Sequence, residues 1–299
     1  MKKILFIVVS MIFIILISSY IIERINYNKE PVETSARNVS KNQSETSINE
    51  PNDITIYDIE EGYLTVPYNS KAQKNNYEWN KLIKMDNGYY QYEDDLYETR
   101  LGIDVSSYQG EIDWSKVKNE GIEFAILRLG YRGYGKAGKI VLDDRFEQNY
   151  ENATKEGIEI GVYFFSQAIS EEEVIEEAGF VLANIEDKLI NYPVFYDLEK
   201  IKNDTARTDN LTNEEVNRFT HQFCENIEKS GYIAGIYGNA KTFTTRMRLE
   251  EFSQYTKWYA DYQEEPLYPY EFTFWQYTES GKVPGIDTKV DLNVKFIKK

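Results

Sequence analysis

Cysteine and histidine are almost missing from this chain, which holds one of each, Cys224 and His221. A single cysteine excludes an intrachain disulfide, a four-cysteine zinc site and a redox pair. A single histidine excludes a multi-histidine metal site. It also argues against a Ser-His-Asp triad, because Val216, Phe219, Phe223, Cys224 and Ile227 follow helical spacing around His221 and place it on a helix surface. Positive charge is scarce too. Lys and Arg number 34 against 50 Asp and Glu, a net charge of −16 with no basic patch, so nucleic acid is not expected as a partner. The loop GYRGYGKAG follows a strand-like segment but lacks the spacing of a phosphate-binding glycine loop. Proton chemistry, if there is any, falls to carboxylates.

Aromatic side chains are plentiful, with 25 Tyr. Rings that stack while their hydroxyls hydrogen-bond suit sugars, although Tyr also serves as ordinary core and rim. Apolar residues make up 41% of the chain, enough for a substantial core.

Four regions are legible. Residues 1–23 contain an uncharged apolar run of 19 residues, Ile4 to Ile22, about the length that crosses a bilayer. Lys2 and Lys3 precede it, which favours the N-terminus inside and the rest outside. The expectation is a single-pass cell-membrane anchor with the folded part extracellular. The alternative is a cleaved signal and a secreted protein, but the tail SSYIIER offers no convincing cleavage site. Residues 24–54 read as a flexible linker. Residues 55–100 read as a small Tyr-rich extension, with a hairpin around Asp86-Asn87-Gly88.

From residue 101 to 299, strand and helix patterns alternate. LGIDV, FAILRLGYR, EIGVYFFSQ, YPVFYDLE, YIAGIYGN, KWYADY and FTFWQYT read as strands, and the strand-like segment VDLNVKF closes the chain. Helices follow the first four of these, two of them opened by Ser170 with Glu173 and Thr212 with Glu215. Repeated β-α units with eight strand-like segments favour an α/β fold, an irregular (β/α) TIM-like barrel whose second half is poor in helices.

The carboxylates stand out against this pattern. In NYPVFYDLEK, Asp197 and Glu199 interrupt an apolar strand two residues apart, a spacing that puts both on one face. Charge in a buried strand costs several kcal/mol unless it is paired or solvated, so two surface acids are the plain alternative. Asp104 interrupts LGIDV in the same way. Strand ends of a barrel share one mouth, where Asp104, Asp197 and Glu199 can converge. Asp287 and Asp291, just after the last strand, can join them. Crowded buried carboxylates raise one another's pKa, and a protonated acid beside an ionised one is the working unit of glycoside hydrolysis. A carboxylate metal site is the rival reading of the same cluster. Tyr163, Phe165, Tyr196, Tyr237, Trp258 and Tyr262 are candidates for the cleft wall, with half of the strand aromatics expected to face the outer helices instead. Arg128 and Gln276 are candidate donors near strand ends.

The segments GIDVSSYQGEIDW, FAILRLGYRGYG, GVYFFSQA, YPVFYDLE, GIYGN, WYADY, FWQYT and VDLN, in that order, resemble glycoside hydrolase family 25, the Chalaropsis-type lysozymes or N-acetylmuramidases. The resemblance spans about Leu101 to Phe296. It implies a peptidoglycan hydrolase that cuts the β-1,4 bond from N-acetylmuramic acid to N-acetylglucosamine, works without cofactor or metal, and takes glycan strands as its partner. The family's D-x-E pair falls on Asp197 and Glu199, and its first-strand acid on Asp104. Its fourth acid falls on Asp291, with Asp287 as the alternative and otherwise a substrate contact. Tyr108, within the first segment, joins the substrate-binding candidates. A K-x-[ST]-E-G segment common in the family is replaced here by RLGYRGYG. The resemblance leaves the cleavage mechanism open. The chain is expected to act as a monomer in cell-wall remodelling. A catalytically weak peptidoglycan-binding protein of an envelope complex is the alternative.

Overall fold

A computed structural model describes residues 51–201 and 204–299. The expected membrane span and most of the linker lie outside the described residues. Among those described, no helix is long and apolar enough to cross a membrane.

The described residues open with two hairpins. β1 (Asp53–Asp58) pairs antiparallel with β2 (Gly62–Pro67), and β3 (Leu82–Lys84) with β4 (Tyr90–Tyr92). The second turns at Gly88, whose positive φ suits glycine. The segment between and after them packs its rings on the barrel. Tyr77 stacks on Phe296 at 3.9 Å, and its hydroxyl donates to the Phe272 carbonyl at 2.6 Å.

The barrel comprises β5 (Tyr97–Val105), β6 (Phe124–Arg132), β8 (Glu159–Phe165), β9 (Val194–Asp197), β10 (Ala234–Asn239), β11 (Thr256–Ala260), β12 (Phe274–Gly281) and β13 (Val290–Lys298). A short β7 (Ile140–Leu142) hangs from the end of β6. Pairing runs round from β5 through β13 and back to β6, and a β5–β6 ladder closes the ring. Four α-helices cover the first half: α1 (Trp114–Asn119), α2 (Phe146–Lys155), α3 (Glu171–Ile185) and α4 (Asn213–Lys229). After β10, short turns replace α-helices among the described residues.

The expected strand segments correspond to these eight strands, with three differences. β5 starts at Tyr97, inside the segment read as the extension. β9 stops at Asp197, so Glu199 lies beyond the strand. β13 runs antiparallel to both its neighbours, β12 and β5. Asp291 therefore lies at the start of the final strand rather than after it. Because β13 is reversed, its beginning meets the ends of the others, and Asp291 pairs in register with Asp104.

Side chains alternate across the barrel wall with the period of a strand. Phe124, Ile126, Phe195, Trp258 and Phe274 form a buried inner cluster. Ala125, Leu127, Val194, Tyr196 and Trp275 belong to the outer core, which the helices and the extension cover. Gly102 fits this interior because a Cβ there would lie 2.3 Å from the Phe124 ring. Side-chain caps fix the starts of α1, α3 and α4. Thr212 and Glu215 form a reciprocal capping box. At Ser170 only half of the box forms, because the Glu173 carboxylate turns to Ile169 N and Arg207.

Candidate active site

The C-terminal ends of the parallel strands and the start of β13 surround a cleft with two adjoining lobes, of about 550 and about 320 Å³. Asp104, Asp197, Glu199 and Asp291 line both lobes, with Tyr163 and Phe165. The four carboxylates come from three barrel strands and the loop after β9.

Asp104 is the most firmly held. Its Oδ2 accepts from Gln276 Nε2 at 2.9 Å and from Asn293 Nδ2 at 2.8 Å. Each amide is itself oriented. The Tyr237 and Tyr262 hydroxyls donate to Gln276 Oε1 at 3.1 and 3.0 Å, and Trp258 Nε1 donates to Asn293 Oδ1 at 2.8 Å. The tyrosines and the indole thus fix which way each amide points, so that both aim their N–H groups at Asp104. Burial raises the Asp104 pKa to about 6, against the lowering effect of the two amides.

Asp197 lacks such support. It is buried, and its Oδ1 has no hydrogen-bond partner. Its pKa is pushed well up, first by burial, then by the charges of Glu199 and Asp104. Asp291 is pushed up to about 9 by burial, then by Asp104 and Glu279. Glu199 is half-buried. Its backbone is tied down where its carbonyl accepts from Gln167 Nε2 at 3.1 Å.

These positions carry a stability consequence. An acid whose folded pKa exceeds its unfolded value binds its proton more tightly when folded, so the stability it confers is complete at low pH and is lost as pH rises through the folded pKa. Asp197→Asn, which cannot ionise, is expected to raise Tm at pH 8 by about 2–4 °C per kcal/mol relieved. The gain should nearly vanish at pH 3.5, where the wild-type carboxyl is neutral in the folded state and mostly so in the unfolded one. Calorimetry at the two pH values checks this, and a loss of Tm at pH 8 would show that the ionised form is the favoured one.

The cleft's first lobe is walled by Tyr108, Arg128, Tyr131 and Tyr134. Tyr108 is 79% exposed at the rim. The Arg128 guanidinium sits 5.0 and 5.3 Å from the Tyr108 and Tyr131 ring centres. Its Nε donates to Asp143 Oδ2 at 2.8 Å and its Nη2 to Ser107 Oγ at 3.0 Å. It therefore braces the rim loop against the carboxylate of Asp143. The second lobe is lined by Tyr237, Trp258, Tyr262 and Gln276. Trp258 lies 4.7 Å from Tyr237 and 5.1 Å from Phe195, ring centre to ring centre.

Two candidates belong elsewhere. Tyr196 is fully buried on the outer face, stacked on Phe223 at 4.5 Å, because it has the opposite parity to Phe195 and Asp197 along β9. Asp287 is exposed and lines neither lobe. The turn that carries it is pinned towards α1, where Asp113 N donates to the Gly285 carbonyl at 2.9 Å. Asn293 and Asp143 were not singled out from sequence. Asn293 had a signal, since it lies two residues after Asp291 on the same strand and shares its parity; Asp143 had none. His221 lies on α4 and stacks on Phe252 at 4.1 Å, away from the cleft. Among the described residues, no group of three or more His, Cys, Asp or Glu side chains is disposed to hold a metal ion.

The model of the glycosyl hydrolases family 25 matches residues 103–286. The chain belongs to that family. The uncharacterised protein YegX of Escherichia coli K12 is 29% identical over 202 residues, covering 64% of this chain and 68% of that protein. The structure of a bacterial lysozyme from Streptomyces coelicolor is 27% identical with a TM-score of 0.54, covering 65% of this chain and 90% of that one. The modular autolysin LytC of Streptococcus pneumoniae has the same fold, with a TM-score of 0.57 at 24% identity over 72% of this chain. The chain spans about half the length of that autolysin, 52%.

Proposed function

We propose that this family 25 protein is a muramidase that cuts the β-1,4 bond from N-acetylmuramic acid to N-acetylglucosamine in peptidoglycan. The observation that carries the reading is the set of four carboxylates at one barrel mouth, differing in how each is held. Asp104, oriented by two amides and raised only to about 6, is ionised at neutral pH. Asp197 and Asp291 hold their protons to higher pH. The cleft therefore offers both a charge to stabilise a developing oxocarbenium ion and protons to deliver to a leaving oxygen. Glu199, beyond the strand and facing both lobes, is the proton donor to the glycosidic oxygen. It draws on the protons that the crowded acids share. Asp197 and Asp291 shape the field around it, and the aromatic walls bind the sugar faces.

Mass spectrometry of peptidoglycan digested with the full-length protein tests this. New reducing ends at muramic acid are expected. New ends at glucosamine, or cleaved stem peptides with intact glycan, would replace the reading by a glucosaminidase or an amidase.

We also propose that Ile4 to Ile22 remains as a membrane anchor and that the linker acts as a tether. A flexible coil of about 30 residues has an r.m.s. reach of roughly 30 Å, which confines cutting to wall near the membrane and suits remodelling. Cell fractionation and blotting should find full-length protein in the membrane. A shortened species free in the medium would show a secreted lysozyme instead.

A further inference from the structure

The second lobe of the cleft is not built by the barrel alone. Ile59, from the turn between β1 and β2, lines it together with Trp258, Tyr262 and Glu279. This turn lies well before residue 103, where the match to the family model begins. It is also not loosely placed. Asp58 is fully buried, and its Oδ1 accepts from Glu60 N at 3.0 Å and Glu61 N at 3.1 Å, which closes the turn on itself. Its Oδ2 accepts from Lys241 N at 3.1 Å, and Lys241 Nζ pairs with Glu61. Lys241 lies two residues beyond β10, the strand that supplies Tyr237. One aspartate thus shapes the turn and latches it to the barrel mouth.

We infer that the β1–β2 hairpin is a fixed wall of the substrate cleft, and that Ile59 is a specificity-determining contact for the sugar unit in the second lobe. The chemistry fits an N-acetylated sugar. Ile59 is half-buried and offers methyl groups to a C–H face or an acetamido methyl, while Gln276 and Glu279 supply polar atoms in the same lobe. A sugar is amphipathic in this sense, and a lobe with one apolar and one polar wall sets its orientation. The inference rests on the reading of the cleft as a glycan site.

The test is calorimetric titration of linear, peptide-free glycan strands into full-length protein carrying Glu199→Gln, so that binding is measured without turnover. Adding Ile59→Ala removes three carbons from a partly buried contact and should weaken Kd about five- to tenfold. Asp58→Ala leaves Ile59 in the chain but removes the latch, and should weaken Kd in the same direction. In the otherwise wild-type enzyme, Ile59→Ala should raise KM more than it lowers kcat and should redistribute the cleavage positions on strands of defined length. Unchanged Kd and unchanged product lengths for Ile59→Ala would overturn the wall. Wild-type Kd for Asp58→Ala would overturn the latch. Failure of the function reading looks different: wild-type protein would release no new reducing ends at muramic acid whatever Ile59 does.

Discussion

Glu199→Gln is expected to lower kcat on glycan strands by about 10²–10⁴-fold, the usual contribution of a positioned general acid. The substitution keeps shape and hydrogen-bonding capacity but removes the transferable proton. Folding should be nearly intact, because Glu199 is half-buried beyond the end of β9 and glutamine keeps its shape. The wild-type pH profile should be a bell. On the acid side, kcat/KM should rise through about pH 6 as Asp104 ionises and its negative charge becomes available to the positive sugar carbon. On the alkaline side it should fall towards about pH 9, where Asp291 gives up its proton and the cluster has fewer to deliver. Asp104→Asn should remove the acid limb along with most activity. Wild-type turnover in Glu199→Gln, with folding confirmed by calorimetry, would sink the assignment of the proton donor. A profile flat from pH 5 to 10 would show that no carboxylate of this cluster limits the rate.

The acids were legible for a physical reason. Charge inside an apolar strand is expensive, so Asp104 in LGIDV and Asp197 in VFYD announce themselves wherever the strands are recognised. What sequence did not reveal is mostly directional. Nothing in VDLNVKF says that β13 runs against its neighbours, because strand alternation reads the same in both senses. Only the closed sheet shows that Asp291 starts a strand and still meets Asp104. Tyr196 was misplaced although parity argued against it: a residue between two inward-facing neighbours must face outward. Asn293 and Gln276 fix Asp104, but an amide in a strand carries no sign of what it holds. Ile59 was invisible because it is far from the barrel in sequence and is brought to the cleft by the side chain of Asp58.

Arg132→Met should be strongly destabilising, costing about 3–5 kcal/mol. Arg132 ends β6 and is buried. Its Nε donates to Glu177 Oε1 at 2.7 Å, its Nη1 to the Gly138 carbonyl at 2.7 Å, and its Nη2 to Glu176 Oε2 at 2.8 Å. Glu177, on α3, is fully buried and also accepts from Ser166 Oγ at 2.6 Å, with the Tyr196 hydroxyl 2.9 Å from the same Ser166 oxygen. The network ties α3 and the ends of β6 and β9 together beside the cleft's first lobe, which Arg132 helps to line, and this is the use the fold makes of Tyr196. Even with its arginine, Glu177 is raised by burial to about 7. Without it, the carboxylate would be an uncompensated buried charge. The loss corresponds to a fall in Tm of roughly 6–20 °C. The sign with pH follows from linkage: a carboxyl raised in the folded state destabilises more as pH rises, so the deficit should be smaller at pH 5, where Glu177 takes up a proton, than at pH 8. Arg132→Met with Glu177→Met removes both charges and should recover most of the stability, since two apolar groups of similar volume need no ion pair. Thermal denaturation of the wild type and the two variants at both pH values decides the matter. A single mutant as stable as wild type, or a deficit that grows on acidification, would mean that Glu177 does not depend on Arg132 for its charge.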